Sequence, residues 1–519
     1  MKYFNIAGPC DRARHYMIEP STRIKGVERL IDMEQYFVIH AARQSGKTTY
    51  LNDLTDRLNA AGQYYAIYCS LESLQGITDP REGIPEIVTK IKNTLKKLNF
   101  PYATEFAKNP DLDNFTDVLN MELTLFCKIL DKPLVILFDE ADCLSDDTLI
   151  TFLRQLRDGY NSRSRIPFVH SIALVGMRNI RDYKAKIRPD SASLGSASPF
   201  NIVTKTYMLK NFTKDEIRSL YQQHTDDTGQ QFDEAAIDTV YEQTQGQPWL
   251  VNAIACEVIT EMLDYDYSKP VTKELVEEAI QTIILRRDTH IDSLLERLKE
   301  ERVRKVIEPV IIGGIEQVSV LSDDYQYVID LGLIRNEKHI TIPANPIYAE
   351  VIARTLSADD QKYITTETPD FEIPRYLKNG RIDMDFLMLD FQQFWRNNSE
   401  IWEQRFDYLE AAPHLIMMAF LQRVVNGGGQ IHRDMAAGTG RLDLCLVYEN
   451  EKYPIELKIR YDTKTLEKGL VQTARYMGLY GCSKGWLAIF DRRKTVEWDS
   501  KLFLRNETFD GKEITVVGL

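Results

Sequence analysis

Three short stretches carry residue types that can do chemistry. The first, AARQSGKT at 41–48, follows an apolar run and opens a helix-like one. In that context the backbone N–H groups of a tight loop and of a helix N-terminus point at anionic oxygens. Lys47 adds a compact positive charge and Thr48 a hydroxyl that can bind Mg²⁺, while Arg43, Gln44, Ser45, Gly46 and Thr49 complete the loop. Position 41 is alanine where the usual pattern starts with glycine, and alanine tolerates left-handed backbone less well. The second stretch, LVILFDEAD at 134–142, is an apolar run ending in Asp139-Glu140 about 90 residues after Lys47. At the carboxyl end of a parallel strand Asp139 would stand near the phosphates and hold Mg²⁺ through water. Glu140 would then polarise an attacking water.

The third stretch is GRLDLCLVYENEKYPIELKI at 440–459, where twelve residues separate Asp443 from Glu456-Leu457-Lys458. Residues i and i+2 of a strand share a face, so Glu456 and Lys458 project together while Leu457 points into the opposite layer. A hairpin with LDLCLVY as one strand, ENEKY as the turn and PIELKI as the return brings Asp443 beside Glu456. Adjacent carboxylates raise each other's pKa unless a cation separates them. A divalent ion resolves that conflict and leaves water for chemistry, with Lys458 orienting that water or stabilising the charge developing on a phosphorane. Taken alone, the pattern also fits an exposed hairpin with charged outer positions.

The surrounding elements must position these groups. The apolar runs 36–41, 63–71, 133–141 and 170–177 are buried-strand candidates separated by helical stretches, the pattern of a parallel sheet covered on both faces. From about Asn211 to Leu285 the periodicity turns helical, with Thr213, Asp233 and Thr272 at N-cap positions. HIDSLLERLKEERVRKVIEPVI reads as one charged helical stretch, and 323–352 as helix, two short strands around Asn336, then helix. The polar, proline-punctuated stretch at 357–380 reads as a linker. The resulting division is 1–210, 211–290, 291–357, 358–385 and 386–519.

A chain of 519 residues with 44% hydrophobic and 27% charged side chains is long enough for several cores and reads as soluble and globular. Its net charge of −13 argues against a surface that coats nucleic acid. From Asp390 onward, however, 18 Lys+Arg balance 18 Asp+Glu, so the remainder carries the whole −13 and any contact with nucleic acid belongs to the C-terminal part. Seven dispersed cysteines without a C-x-x-C pair suit a reducing compartment rather than a disulfide framework. No apolar run reaches the roughly 18 residues of a membrane span, so a cytoplasmic location without membrane contact is expected.

Residues 1–357 resemble the AAA+ ATPases of the initiator-like and STAND-like branches through RQSGKT, LFDEAD and GQP at 246–248. The resemblance implies ATP and Mg²⁺, a helical lid whose Pro248 packs near the nucleotide, and a winged-helix module at 291–357. It also implies a polar sensor at Arg178 or Asn179 and an arginine finger at Arg181 or Arg188. A finger acting in trans would imply a homo-oligomer. The N-terminal HYMIEPSTR lies where the family packs against adenine, with Tyr16 as candidate. The acidic helix SDDYQYVID is unsuited to a DNA groove, which favours a structural or regulatory role for the module. Residues 386–519 resemble the PD-(D/E)XK nuclease superfamily through D-x₁₂-E-L-K and, downstream, Gln472 and Tyr476 at i, i+4. That resemblance implies a restriction-endonuclease-like α/β domain that cuts nucleic acid, DNA in the first instance, with Mg²⁺ or Mn²⁺ at Asp443 and Glu456. Lys458, Gln472 and a third carboxylate, Glu410, complete its site, and Arg441, Lys484, Arg492, Arg493 and Lys494 are candidate phosphate contacts. The expected fold is therefore α/β throughout: a P-loop parallel sheet with lid, a winged helix, and a nuclease-like domain. The expected function is an ATP-hydrolysing protein that controls a metal-dependent phosphodiesterase. The alternative is a nucleotide switch that binds a partner and keeps its nuclease-like fold without cleavage; a helicase or motor has less support because no second translocating core is apparent.

Overall fold

The computed structural model describes residues 2–176 and 202–519 except 287–288, 313–321, 338–339, 353–354, 357–375, 379, 406–416, 419, 422–429, 433–443, 450, 461–464, 492, 494–495 and 497. It divides into two compact units, Met1–Ser293 with Val320–Arg335, and Leu294–Ser319 with Asn336–Leu519.

The first unit is built on a parallel five-stranded sheet in the order β2-β3-β4-β1-β5: β1 Tyr36–His40, β2 Tyr65–Ser70, β3 Leu134–Asp139, β4 Ser171–Gly176 and β5 Val203–Met208. Strands β1, β3 and β4 are buried along their whole length, as their unbroken apolar runs require. On one face Ile67, Ile136, Phe138 and Leu174 pack with α3 (Pro80–Lys97), α4 (Val118–Ile129) and α5 (Asp146–Ser162). On the other, Phe37, Ile39, Val135 and Val175 meet α1 (Val27–Asp32) and α2 (Lys47–Ala61). Strand β5 is the one the sequence reading lacked. Its VTKTYM is exposed at most positions because it is an edge strand, so no apolar run marks it.

The helical region follows as Lys214–Thr228, Glu234–Thr244, Pro248–Cys256 and Lys273–Arg286, with a π-helical turn over Glu257–Met262. Thr213 forms the anticipated cap as a full capping box with Glu216. The charged stretch expected as one helix is two, Thr289–Arg297 and Glu301–Ile312. After the second come the helix Asp323–Asp330, β6 (Ile334–Glu337), β7 (Ile340–Pro343) and helical residues 346–352, the helix–strand–strand–helix order read from the sequence.

In the second unit a short pair, β8 (Leu377–Lys378) and β9 (Arg381–Ile382), precedes a six-stranded sheet ordered β10-β11-β12-β13-β15-β14. Its strands are β10 Gln430–His432, β11 Leu444–Tyr448, β12 Glu451–Arg460, β13 Lys484–Asp491, β14 Phe503–Phe509 and β15 Lys512–Gly518. Strands β12, β13 and β15 run parallel, with antiparallel strands at both edges. Helix Thr465–Tyr480 covers one face through Ala474 and Met477 on Leu487, Ile489, Ile514 and Val516. Helix Met384–Arg405 covers the other, where Phe391 and Trp395 meet Phe490. The β11–β12 turn is tighter than expected. Tyr448 already pairs with Glu451, and Glu449 takes the left-handed backbone, φ 45°, that a two-residue connection demands.

Candidate functional site

The chain leaves β1 at His40 and turns into α2 through 41–46. The left-handed positions of this loop are Gln44, φ 54°, and Gly46, φ 87°. Ala41 is not among them; its N–H donates to Gly176 O of β4 at 3.2 Å, so alanine there causes no backbone strain. Gly46 has no such latitude, because φ 87° is backbone that a residue with a side chain rarely adopts; an added Cβ would also stand 2.9 Å from Nη1 of Arg23. The ammonium of Lys47 is buried and donates to Ala41 O at 2.9 Å and Ala42 O at 3.4 Å, which holds its charge inside the loop.

Parallel pairing of β2 with β3 sets Ser70 beside Asp139 and carries Asp139 to the same end of the sheet as the loop. Buried Asp139 accepts through Oδ2 from Thr48 Oγ1 at 3.1 Å and from the Tyr68 hydroxyl at 3.0 Å, and through Oδ1 from the Glu140 N–H at 3.0 Å. Glu140 is held at φ 53°. Burial pushes its carboxyl up to about 6; Lys47 pulls it down, while Asp142, Asp139 and Glu72 push it further up. A hydroxyl and a carboxylate in contact beside a buried ammonium form a set of hard oxygen donors that fits Mg²⁺ together with a phosphate chain.

The helical region reaches the loop through Gln247, which caps the helix begun by Pro248. Its Oε1 accepts from Leu250 N at 2.6 Å and its Nε2 donates to Gln44 O at 3.5 Å. Arg43 donates to Ser293 Oγ. His40 Nδ1 lies 3.7 Å from Asp330 of the acidic helix; burial drives this imidazole down, Asp330 raises it and Lys47 lowers it. Gly332, φ 75°, presses on Ala42, whose Cβ would be 2.5 Å from an added one. Tyr16 is buried among Phe4, at 4.9 Å, and His224, at 5.5 Å.

The sequence profile of a family described as AAA-like domain matches residues 12–354. The chain belongs to that family. The matched span of this AAA-like chain carries the loop, Asp139, Glu140 and the helical region. Solved structures to which the chain shows similarity include the Walker-type ATPase Paby2304 of Pyrococcus abyssi, at 14% identity over 67% of this chain and 99% of that one, TM-score 0.48. RuvB of Thermotoga maritima matches at 12% identity over 64% and 95%, TM-score 0.34. Cdc6p of Pyrobaculum aerophilum matches at 16% over 62% and 88%, TM-score 0.34. At these scores they add nothing to the assignment. No curated protein matches the chain. Among the described residues no helix is long and apolar enough to cross a membrane.

In the second unit Glu456 is fully buried on β12, and Lys458 lies 2.6 Å from its Oε1. Parallel pairing puts Glu456 beside Leu487 and Lys458 beside Ile489, the residues on which helix Thr465–Tyr480 rests. The acid and the lysine therefore face the helix that carries Gln472 and Tyr476. Tyr476 is buried against Cys445 of β11, and Gln472 is half-buried. Lys484 departs from expectation. It projects from the opposite face and pairs with Asp385 at 2.6 Å, so it is an anchor for helix Met384–Arg405 rather than a phosphate contact. Arg493 is paired with Asp491 at 2.5 Å. The β11–β12 ladder ends at Leu444 opposite Ile455. Asp443, Glu410, Arg441, Arg492 and Lys494 lie outside the described residues, as do Arg178, Asn179, Arg181 and Arg188. Among the described residues no three His, Cys, Asp or Glu side chains cluster as metal ligands.

Two contributors escaped the sequence reading. Tyr68 hydrogen-bonds the key carboxylate from the neighbouring strand, and Arg23 braces the loop from the N-terminal segment. Tyr68 lies in no motif, and Arg23 ends the stretch HYMIEPSTR, in which only Tyr16 stood out. For Tyr68 the available signal was its place near the carboxyl end of a strand read as buried, where a hydroxyl needs a partner.

Proposed function

We propose that this AAA-like protein binds and hydrolyses ATP with Mg²⁺. The observation that carries the reading is the hydrogen bond from Thr48 to Asp139 at 3.1 Å, with Lys47 buried alongside and Glu140 next in the chain. In this reading the loop N–H groups and Lys47 bind the β- and γ-phosphates, and Thr48 and Asp139 hold Mg²⁺, which would neutralise phosphate charge. Glu140 accepts a proton from the attacking water, for which a carboxyl raised towards neutrality suits it. Asp139 is kept oriented by Tyr68. Pro248 and Gln247 present the lid to the loop. The test is ATP turnover and binding by the parent, Lys47→Ala and Glu140→Gln; equal turnover in all three rejects the site.

The same proposal extends to the second unit as a phosphodiesterase acting on DNA, with Asp443, Glu456, Lys458 and Gln472 as its site and ATP state controlling access to it. Its support is the burial of Glu456 beside Lys458 on the face toward Gln472. A divalent ion there requires Asp443 as well as Glu456. Plasmid loss with Mn²⁺ that is abolished in Asp443→Ala and Lys458→Ala supports it, and cutting by both variants at the parental rate rejects it. A second reading, a nucleotide switch that recruits a partner without cleavage, is favoured by one observation: Asp330 of the acidic helix sits at His40, just before the phosphate loop. Under it the parent hydrolyses ATP and cuts nothing.

A further inference from the structure

Arg23 ends the stretch HYMIEPSTR, in which only Tyr16 stood out, yet it touches two segments of the unit at once. One arm of its guanidinium, Nη1, donates to Ser45 O of the phosphate loop at 2.7 Å. The other arm, Nη2, donates to Lys210 O, in the segment that carries the chain from β5 to the first lid helix. The guanidinium plane also sits over the Phe212 ring at 4.9 Å. Phe212 is the tightest point of that connection. Its N–H donates to Gly246 O at 2.8 Å, and Gly246, φ 71°, could carry no side chain there because a Cβ would lie 1.8 Å from Phe212 O. Leu209 N donates to His40 O at 3.1 Å, so the same connection is tied to the last residue of β1.

A side chain in this position is unlike the usual surface arginine. Burial lowers its pKa to about 10, with Glu216 of the first lid helix pulling it back up, so the guanidinium is still charged at neutral pH. Its neighbours are backbone carbonyls and an aromatic face, and among the described residues no carboxylate is in hydrogen-bond contact with it. A planar fork can hold two carbonyls that a lysine's point charge would have to choose between. Nη1 also stands against Gly46, the residue immediately before Lys47. Filling the loop with phosphate places negative charge next to this cation and loads the peptide that it grips at Ser45.

We propose that Arg23 is a positioning residue that couples phosphate occupancy of the 41–48 loop to the connection between the sheet and the lid. It holds the Ser45 carbonyl turned away from the cradle, so that the loop N–H groups face the phosphates, and it pins residues 210–212 to that arrangement. The inference rests on the reading of this loop as an ATP site and assigns it the element through which nucleotide state reaches the lid.

The experiment is backbone hydrogen exchange on the full chain, with and without a non-hydrolysable ATP analogue and Mg²⁺, for the parent, Arg23→Gln and Arg23→Lys. In the parent, nucleotide slows exchange both in 41–48 and in 209–217. In Arg23→Gln, nucleotide affinity falls about tenfold, the effect of losing charge-assisted hydrogen bonds. At saturating nucleotide this variant still protects 41–48 but no longer protects 209–217. Arg23→Lys recovers most of the affinity and little of the protection at 209–217, and if Arg23→Gln fails to fold, that variant alone carries the test. A variant that protects both segments as the parent does overturns the proposal. So does one that loses protection in both to the same degree at saturation, since that is local unfolding. A parent showing no nucleotide-dependent protection in 41–48 rejects the ATP reading, and the proposal with it.

Discussion

The two candidate sites are built from similar side chains, an acid and a lysine on or beside a parallel strand, but their surroundings differ in kind. In the first unit Lys47 is held by backbone carbonyls and Asp139 by Thr48, Tyr68 and the Glu140 N–H, so acid and lysine are fixed independently. In the C-terminal unit Lys458 lies directly on Glu456. The first arrangement leaves both charges available to a ligand. In the second each charge serves as the other's partner, and anything that binds there must compete with the pair. Motif matching alone does not separate these cases; the difference lies in which neighbours hold the charged groups.

Glu140 has no counterpart in the C-terminal pair, and its loss has the largest expected effect. Replacing it with glutamine leaves nucleotide binding intact and slows turnover by about 10²–10⁴-fold, the usual contribution of a general base, as single-turnover hydrolysis would show. Next, Lys458→Ala takes the ammonium from a fully buried carboxylate and costs the C-terminal unit about 3 kcal/mol, read as a fall in its denaturation midpoint. A midpoint unchanged by this substitution removes the pairing from the argument. Lys47→Ala weakens ATP binding by about 10–100-fold in calorimetry, with little change in stability.

A pH profile sharpens the contrast further. With the Glu140 carboxyl raised to about 6, kcat/KM of the free enzyme climbs as pH rises through 6, and this acid limb disappears in Glu140→Gln. The stability effect has the opposite sign. Folding favours the protonated form, so the stabilisation it brings is complete below the ordinary carboxyl value of 4.5 and is lost as pH rises through about 6. The smallest expected effect is that of Tyr68→Phe, which removes one of the hydrogen bonds orienting Asp139 and lowers kcat by about fivefold, with KM for ATP nearly unchanged.

What could be read from the sequence follows from how each feature is held. Strands β1, β3 and β4 were legible because a strand covered on both faces must be apolar throughout, and the cap at Thr213 follows from local hydrogen bonding. Edge strand β5 was not, because Thr204, Lys205 and Thr206 meet solvent. The concern over Ala41 dissolved once Gln44 and Gly46 proved to be the left-handed positions, which no pattern states. Arg23 and Tyr68 were invisible because each acts across a tertiary contact, 22 and 71 residues from its partner. Glu456 and Lys458 were legible as a pair on one strand face, whereas their burial depends on the helix Thr465–Tyr480 folded over them.

One modest feature of the C-terminal unit has a practical reach. The Asp385 carboxylate binds Lys484 and Trp486 of β13 and Thr515 of β15, fastening the start of helix Met384–Arg405 to two strands 99 to 130 residues later in the chain. Tyr376 adds a further tie through its hydroxyl to Asp390 and its carbonyl to Asp383 N. A truncated version cut after this clasp would lay bare Trp486 and Phe490 and invite aggregation. Excision of the six-stranded sheet for separate study should therefore begin upstream of Tyr376.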